Sequence, residues 1–247
     1  MNFELSEEQK MIQQSVERFV QENYDLSDRI KISSENPGYS KDYWNSMAEL
    51  GWLGLAFDEE DGGFGGNQID TLVLMEQFGK GLVLEPFLAN IVLAGGAIKR
   101  GASKALKESI IPKLIEGNLQ LTLAYAEEQS RFDIEDVATA AREDAGNFII
   151  NGKKSMVLNA ESADKVVVVT RTSGSQVDIN GISLFLVDLD SEGIERDNFP
   201  TVDGLRASEI TFKDVKVSAE NLIGEKDKGF SILQEAVSYT HLRAHET

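Results

Sequence analysis

Through the first half of the chain, apolar residues recur three and four positions apart, the spacing that lines one face of a helix. Ser6 with Gln9 three positions on has the form of a capping box, and Ile12, Val16, Phe19 and Val20 carry the pattern to about Tyr24. A second helix is predicted after Ser40, with Tyr43, Met47 and Leu50 on one face. It ends before Asp58-Glu-Glu-Asp-Gly-Gly-Phe-Gly-Gly-Asn67, where the glycines make helix or strand costly. Three more helices follow, over residues 68–79, 86–100 and 103–117, the last capped at Gly117 and bent or broken by Pro112. The one over 86–100 is apolar nearly all round (Phe87, Leu88, Ile91, Val92, Leu93, Ile98), which predicts burial inside a bundle. Residues 1–118 therefore read as an all-helical domain.

From about Leu119 the period changes. Short β-type runs cover residues 121–126, 148–150, 155–158, 166–170, 182–187 and 209–217. Asn151-Gly152 and Asn180-Gly181 sit where a type I′ hairpin turn, which needs positive φ at both central residues, would be wanted. Residues 119–225 are predicted to form an antiparallel β-barrel or sandwich. The helical pattern resumes at Gly229-Phe230, so residues 226–236 read as the start of a C-terminal helical domain whose remainder is expected to be missing. The fold class is α+β. Both histidines, His241 and His245, fall in the last eleven residues, 237–247. That segment resembles the read-through translation of a transposase-type sequencing-library adapter, and is set aside from the fold; the natural chain is expected to continue beyond Ala236.

Charge narrows the function classes. The 42 Asp+Glu against 24 Lys+Arg give a net charge of -18, which repels nucleic-acid phosphates and anionic lipid headgroups, so neither nucleic acid nor membrane is an expected partner. An anionic ligand such as a CoA ester needs a local basic patch or helix N-termini against that field. Cysteine is absent, which excludes disulfides, thiolate catalysis and thiolate zinc sites, and no metal site is expected. The N-terminus lacks the basic start and apolar run of a signal peptide, and a cytoplasmic location is expected. With no histidine before position 241, Ser-His and Cys-His pairs are excluded and acid–base work would fall to carboxylates or lysines. Glu127 and Glu128 end a predicted strand beside Arg131 and Asp133, either as a polar site or as a solvated loop with an internal ion pair. The glycines of residues 62–66 follow no predicted strand and precede no Lys-Ser/Thr, so they read as a connecting turn rather than a phosphate loop.

The order helical, β, helical, together with particular residues, resembles the acyl-CoA dehydrogenase family over residues 1–236. Leu5-Ser-Glu-Glu-Gln9 resembles the family's opening, and Glu59-Glu-Asp-Gly-Gly-Phe-Gly-Gly66 its glycine-rich turn. Asn151-Gly-Lys-Lys154 followed by Asn159 resembles its β-domain hairpin; Gly204-Leu-Arg206, residues 209–217, Leu222-Ile-Gly224 and Gly229-Phe230 resemble its closing strands and the entry to its C-terminal bundle. The resemblance implies desaturation of an acyl-CoA thioester: an enzyme base takes the α-proton while the β-hydrogen leaves as hydride to FAD. The base is usually a glutamate of the C-terminal helical domain and is not assigned to a residue here. It also implies an electron-accepting flavoprotein as partner. The family's Thr-Glu-Pro-x-x-Gly-Ser-Asp stretch reads Ala126-Glu-Glu-Gln-Ser-Arg-Phe-Asp133, which keeps Glu127 and Asp133 as cofactor-region residues but loses two hydroxyls. The tryptophan and threonine of the second flavin-contacting strand are Met156 and Leu158. These departures resemble the small subunits of heteromeric acyl-CoA dehydrogenases, of the pimeloyl-CoA type and those acting on sterol side chains, in which a larger homologous subunit completes the sites. The alternative is a non-catalytic structural partner whose flavin site has decayed. The fragment by itself is expected to be inactive, with an exposed apolar face.

Overall fold

Ser6 does cap the first helix: its hydroxyl accepts the Gln9 N–H at 3.1 Å, and the Gln9 side chain accepts the Ser6 N–H at 2.9 Å. In the computed structural model, which describes residues 4–238, this helix is α1 (Glu7–Asn23). Gln9 also donates to Asp70 Oδ1 at 2.9 Å, and Asp70 Oδ2 takes the Asn67 N–H at 2.7 Å, so the capping box of α1 is tied to that of α4 (Gln68–Gly81). Between them lie α2 (Leu26–Ser34) and α3 (Lys41–Glu49), the latter capped by Ser40 as its sequence predicts. Helix α2 was not predicted; it is short and has no fully buried residue, Leu26 and Ile30 being exposed while Ile32 packs partly on the core. Hydrogen bonds add to that contact. Arg29 donates to the carbonyls of Leu82 (2.7 Å) and Asp203 (2.6 Å), and Arg206 reaches back to the carbonyl of Ser33 at 3.1 Å.

The apolar run after Pro86 is buried, as predicted, but it is not one α-helix: Leu88–Gly95 is π-helical and continues into α5 (Gly96–Gly101). Its Asn90 is wholly buried and takes the Leu121 N–H at 2.8 Å while donating to Gln120 Oε1 at 3.0 Å, which fixes the helical domain to the first strand. Helix α6 (Lys104–Ile115) runs through Pro112 unbroken. The carbonyl that loses its partner belongs to Glu108, an exposed residue whose carbonyl water can satisfy, so the break expected of an interior proline does not occur.

The β-domain has eight strands: β1 (Leu121–Ala124), β2 (Ala140–Asp144), β3 (Asn147–Leu158), β4 (Lys165–Arg171), β5 (Ile182–Asp188), β6 (Ile194–Pro200), β7 (Arg206–Ser218) and β8 (Leu222–Ile223). They run in the order β6-β7-β3-β2-β4-β5-β8, with β1 beside β4. Most pairings are antiparallel, but β1 joins β4 in parallel, as does β2 by a single pair at its end. The sheet does not close into a barrel; it folds as a sandwich. Val166, Val168, Phe185 and Val187 pack on Ile150, Ile210 and Phe212 across the sandwich, while Val167, Val169, Leu184 and Leu186 pack on the helical domain. Strands β4 and β5 are thus covered on both faces, which is why their sequence is a continuous apolar run rather than an alternation.

Neither Asn-Gly pair makes the predicted hairpin turn. The β2–β3 hairpin turns at Ala145 (φ 49°) and Gly146 (φ 82°). Asn151-Gly152 lies inside β3 at a register shift against β7, where a Cβ on Gly152 would stand 2.6 Å from Thr139 Cα; the glycine is required by close approach, not by a turn. Asn180-Gly181 ends the longer β4–β5 loop, and only Gly181 has positive φ. Strand β6 escaped the sequence reading because nearly all its residues are exposed or half-exposed on a sheet edge. Helix α7 (Phe230–Ser238) buries Leu233 and Ala236, and Arg100 pairs with its Glu235 at 3.2 Å. Residues 239–247, with His241 and His245, lie outside the described residues, as does most of the adapter-like segment.

Candidate functional site

The loop leaving β1 turns its first carboxylate inward. Glu127 is buried, and Oε1 takes Lys154 Nζ at 2.6 Å and the Thr139 N–H at 3.0 Å, while Oε2 takes the Ala138 N–H at 2.9 Å and Gln129 Nε2 at 2.8 Å. Lys154 is fully buried and also donates to the Tyr125 carbonyl at 3.2 Å. Burial alone would raise the Glu127 pKa, but the Lys154 charge and the hydrogen bonds from Lys154, Gln129 and Thr139 hold it below the ordinary value. Burial pushes Lys154 down to about 8 against the pull of Glu127. Four donors saturate the Glu127 carboxylate, so this pair fastens the loop of residues 126–139 to β3. Asp133, six positions on, is exposed, and its N–H bonds the Ser130 carbonyl. The structure does not bring Asp133 into the Glu127 network, and Arg131, at positive φ, is exposed as well. Lys154 has an inward position in β3, two residues from Gly152 and four from Ile150, and that period-2 placement was the readable signal for it.

A second, larger feature lies between the domains. A cavity of 270 Å³ is walled by Met75 and Phe78 of α4, by residues 82–89, and by Leu158 and Asn159 at the end of β3. Arg29, Asp203 and Arg206 line it too, and their hydrogen bonds join α2 to the β6–β7 loop beside it. Its wall is mostly apolar; of the polar residues on it, Glu85 is only 5% exposed, and its Oε1 takes the Ser40 N–H at 3.0 Å. Desolvation pushes the Glu85 pKa up to about 7; the N–H groups of Glu85 itself, Ser40 and Leu84 oppose this incompletely, and only that of Ser40 stands in hydrogen-bond geometry. Sequence reasoning missed Glu85, although one carboxylate inside the apolar run Leu82-Val-Leu-Glu-Pro-Phe-Leu88 was a visible anomaly.

The comparisons with known proteins follow the same division. The profile of the acyl-CoA dehydrogenase N-terminal domain matches residues 6–118 and that of the acyl-CoA dehydrogenase middle domain matches residues 122–215. The chain belongs to the acyl-CoA dehydrogenase family. It is 29% identical over 245 residues to the mitochondrial isovaleryl-CoA dehydrogenase of Pongo abelii, covering 96% of this chain and 58% of that one. Among solved structures, an acyl-CoA dehydrogenase from Geobacillus kaustophilus aligns with a TM-score of 0.86 and 27% identity over 98% of this chain and 64% of its own. The ChsE4-ChsE5 complex from Mycobacterium tuberculosis aligns at 0.84 and 23%, over 97% and 61%, and shares the fold. The chain spans about three-fifths of the length of the curated relatives it matches.

Members of this family are flavoproteins, and the fit of a flavin to this chain can be tested on the positions that the family resemblance points to. Ala126 carries no hydroxyl. Met156 is half-exposed at positive φ (51°) on the register shift of β3 between Lys154 and Val157, and Leu158 faces the interdomain cavity. Glu127 has no acceptor capacity to spare, and none of the buried side-chain atoms without a hydrogen-bond partner belongs to residues 126–133 or 156–158. This donor set does not fit a flavin gripped by side chains of these two stretches. Among the described residues no group of His, Asp and Glu could hold a metal ion, and no helix is long and apolar enough to cross a membrane.

Proposed function

We propose that this chain is a subunit of an acyl-CoA dehydrogenase assembly, α,β-desaturating an acyl-CoA thioester, and that it contributes the cavity that takes the acyl group. The observation that carries the reading is the apolar cavity between α4, residues 82–89 and the end of β3. Such a cavity, with a few polar groups on its wall, suits a chain or ring fragment rather than a whole CoA ester. The base is expected in a C-terminal helical segment, and a larger homologous subunit and an electron-accepting flavoprotein are the expected partners, in the cytoplasm. The substitutions at Ala126, Met156 and Leu158 favour a second reading, in which this chain is the non-catalytic partner and the other subunit alone holds FAD.

The test is to co-express the full-length gene with that of the larger homologous subunit and record the flavin absorbance of the purified complex before and after adding acyl-CoA esters. Bleaching of the oxidised band is the expected result. Flavin content and bleaching indifferent to substitutions in this subunit's cavity favour the structural-partner reading, and a flavin-free complex counts against both.

A further inference from the structure

Glu85 is out of place by ordinary energetics. It is flanked by Leu84 and Phe87, which are 2% and 1% exposed, and it faces the cavity without a paired cation. Both arginines of the cavity wall commit donors elsewhere, Arg29 to the carbonyls of Leu82 and Asp203 and Arg206 to those of Ser33 and Glu35. Among the described residues, Ser40 supplies the carboxyl group's one hydrogen bond, onto Oε1, and no group bonds Oε2. A buried polar atom without a partner costs stability, and a ligand group that bonds it recovers that cost on binding.

The chemistry of the missing partner follows from the two states of the carboxyl group. Ionised, Oε2 accepts; protonated, with Oε1 already taken by the Ser40 N–H, Oε2 donates. An alkyl terminus satisfies neither state, an ammonium only the first, and a carboxylate is repelled by the first. A hydroxyl satisfies both. We infer that the acyl group this cavity accepts carries a hydroxyl on the part remote from the thioester, bonded to Glu85 Oε2. The inference rests on the acyl-cavity reading above. The other atom on this wall without a partner, Arg206 Nε, only donates, and it would favour a carboxylated tail instead.

The test uses the co-expressed complex and calorimetric titration with acyl-CoA esters of matched length from hexanoyl to dodecanoyl, in unsubstituted, ω-hydroxy and ω-carboxy forms. Wild type should bind the ω-hydroxy ester about tenfold more tightly than the unsubstituted one at the best length. Glu85→Gln, which keeps a donor and an acceptor, should retain most of that ratio, and Glu85→Leu should abolish it. A ratio is insensitive to any loss of folded protein. Equal binding of the hydroxy and unsubstituted esters, tightest binding of the ω-carboxy ester, or a preference that survives Glu85→Leu overturns the inference while leaving the acyl cavity standing. Failure of all three series to bind overturns both.

Discussion

Glu127 in the β-domain and Glu85 in the helical domain are equally buried, each 5% exposed, yet their protonation equilibria move in opposite directions. Burial acts on both and disfavours the charge. Glu127 receives a lysine at 2.6 Å, two backbone N–H groups and a glutamine amide; Glu85 receives one N–H. Glu127 has the partners to outweigh desolvation, and Glu85 does not. One carboxylate is consumed in holding a loop on a strand. The other keeps an oxygen free beside a cavity, and only the second has chemistry left to offer a ligand.

The largest break in that comparison is Lys154→Met. It removes the cation and leaves Glu127 buried and ionised, a change worth about 3–5 kcal/mol of destabilisation. The midpoint of urea unfolding should fall accordingly, and pairing Lys154→Met with Glu127→Leu should recover a large part of the loss, because no lone charge then remains. A single variant within about 1 kcal/mol of wild type would show the pair to be less buried in solution than described. Glu127 also sets an acid limit. Its folded pKa lies below the ordinary value near 4.5, so its contribution is present above that pH and lost as pH falls through the lower, folded value.

Glu85 should behave in the opposite way. Its pKa moves from 4.5 to about 7, so between those values the folded state holds more protons than the unfolded one, and stability falls as pH rises. Glu85→Gln removes this titration. Measured against wild type, the variant should gain about 2–3 kcal/mol in relative stability from about pH 5 to about pH 8. Unfolding midpoints of both proteins at the two pH values check it, and a difference that does not change with pH would mean that the carboxyl group is solvated or paired.

How much of this could be read from the sequence differs by region for physical reasons. Helices α1, α3, α4 and α6 carry apolar stripes and side-chain caps at Ser6, Ser40, Asn67 and Ser103, and they fall within a few residues of where the pattern places them. Helix α2 and strand β6 are held by hydrogen bonds to distant carbonyls or by an edge pairing, and their own residues hold no trace of that. The Asn-Gly signal misled because Gly152 answers to Thr139, thirteen positions away in sequence but in contact. Of the polar constellation at residues 127–133, the sequence located Glu127 but not its partner Lys154, which lies 27 positions on in another strand. Glu85 was legible as an isolated charge in an apolar run; its free oxygen was not.

The smallest effect is expected at Asp133, and it sharpens the comparison from outside. Asp133 is exposed and takes no part in the Glu127 network, so Asp133→Asn should leave stability within about 0.5 kcal/mol of wild type. Its only route to a phenotype is therefore through something that binds the loop of residues 126–139. Flavin content per complex, measured by absorbance for wild type and Asp133→Asn, separates the two possibilities. If stability and flavin content are both unchanged, Asp133 is a solvated loop residue, and what survives of the family's stretch is the structural half, Glu127 on Lys154. If flavin content falls while stability does not, the loop contacts the cofactor in the assembly despite lacking the hydroxyls, and the structural-partner reading loses its main support.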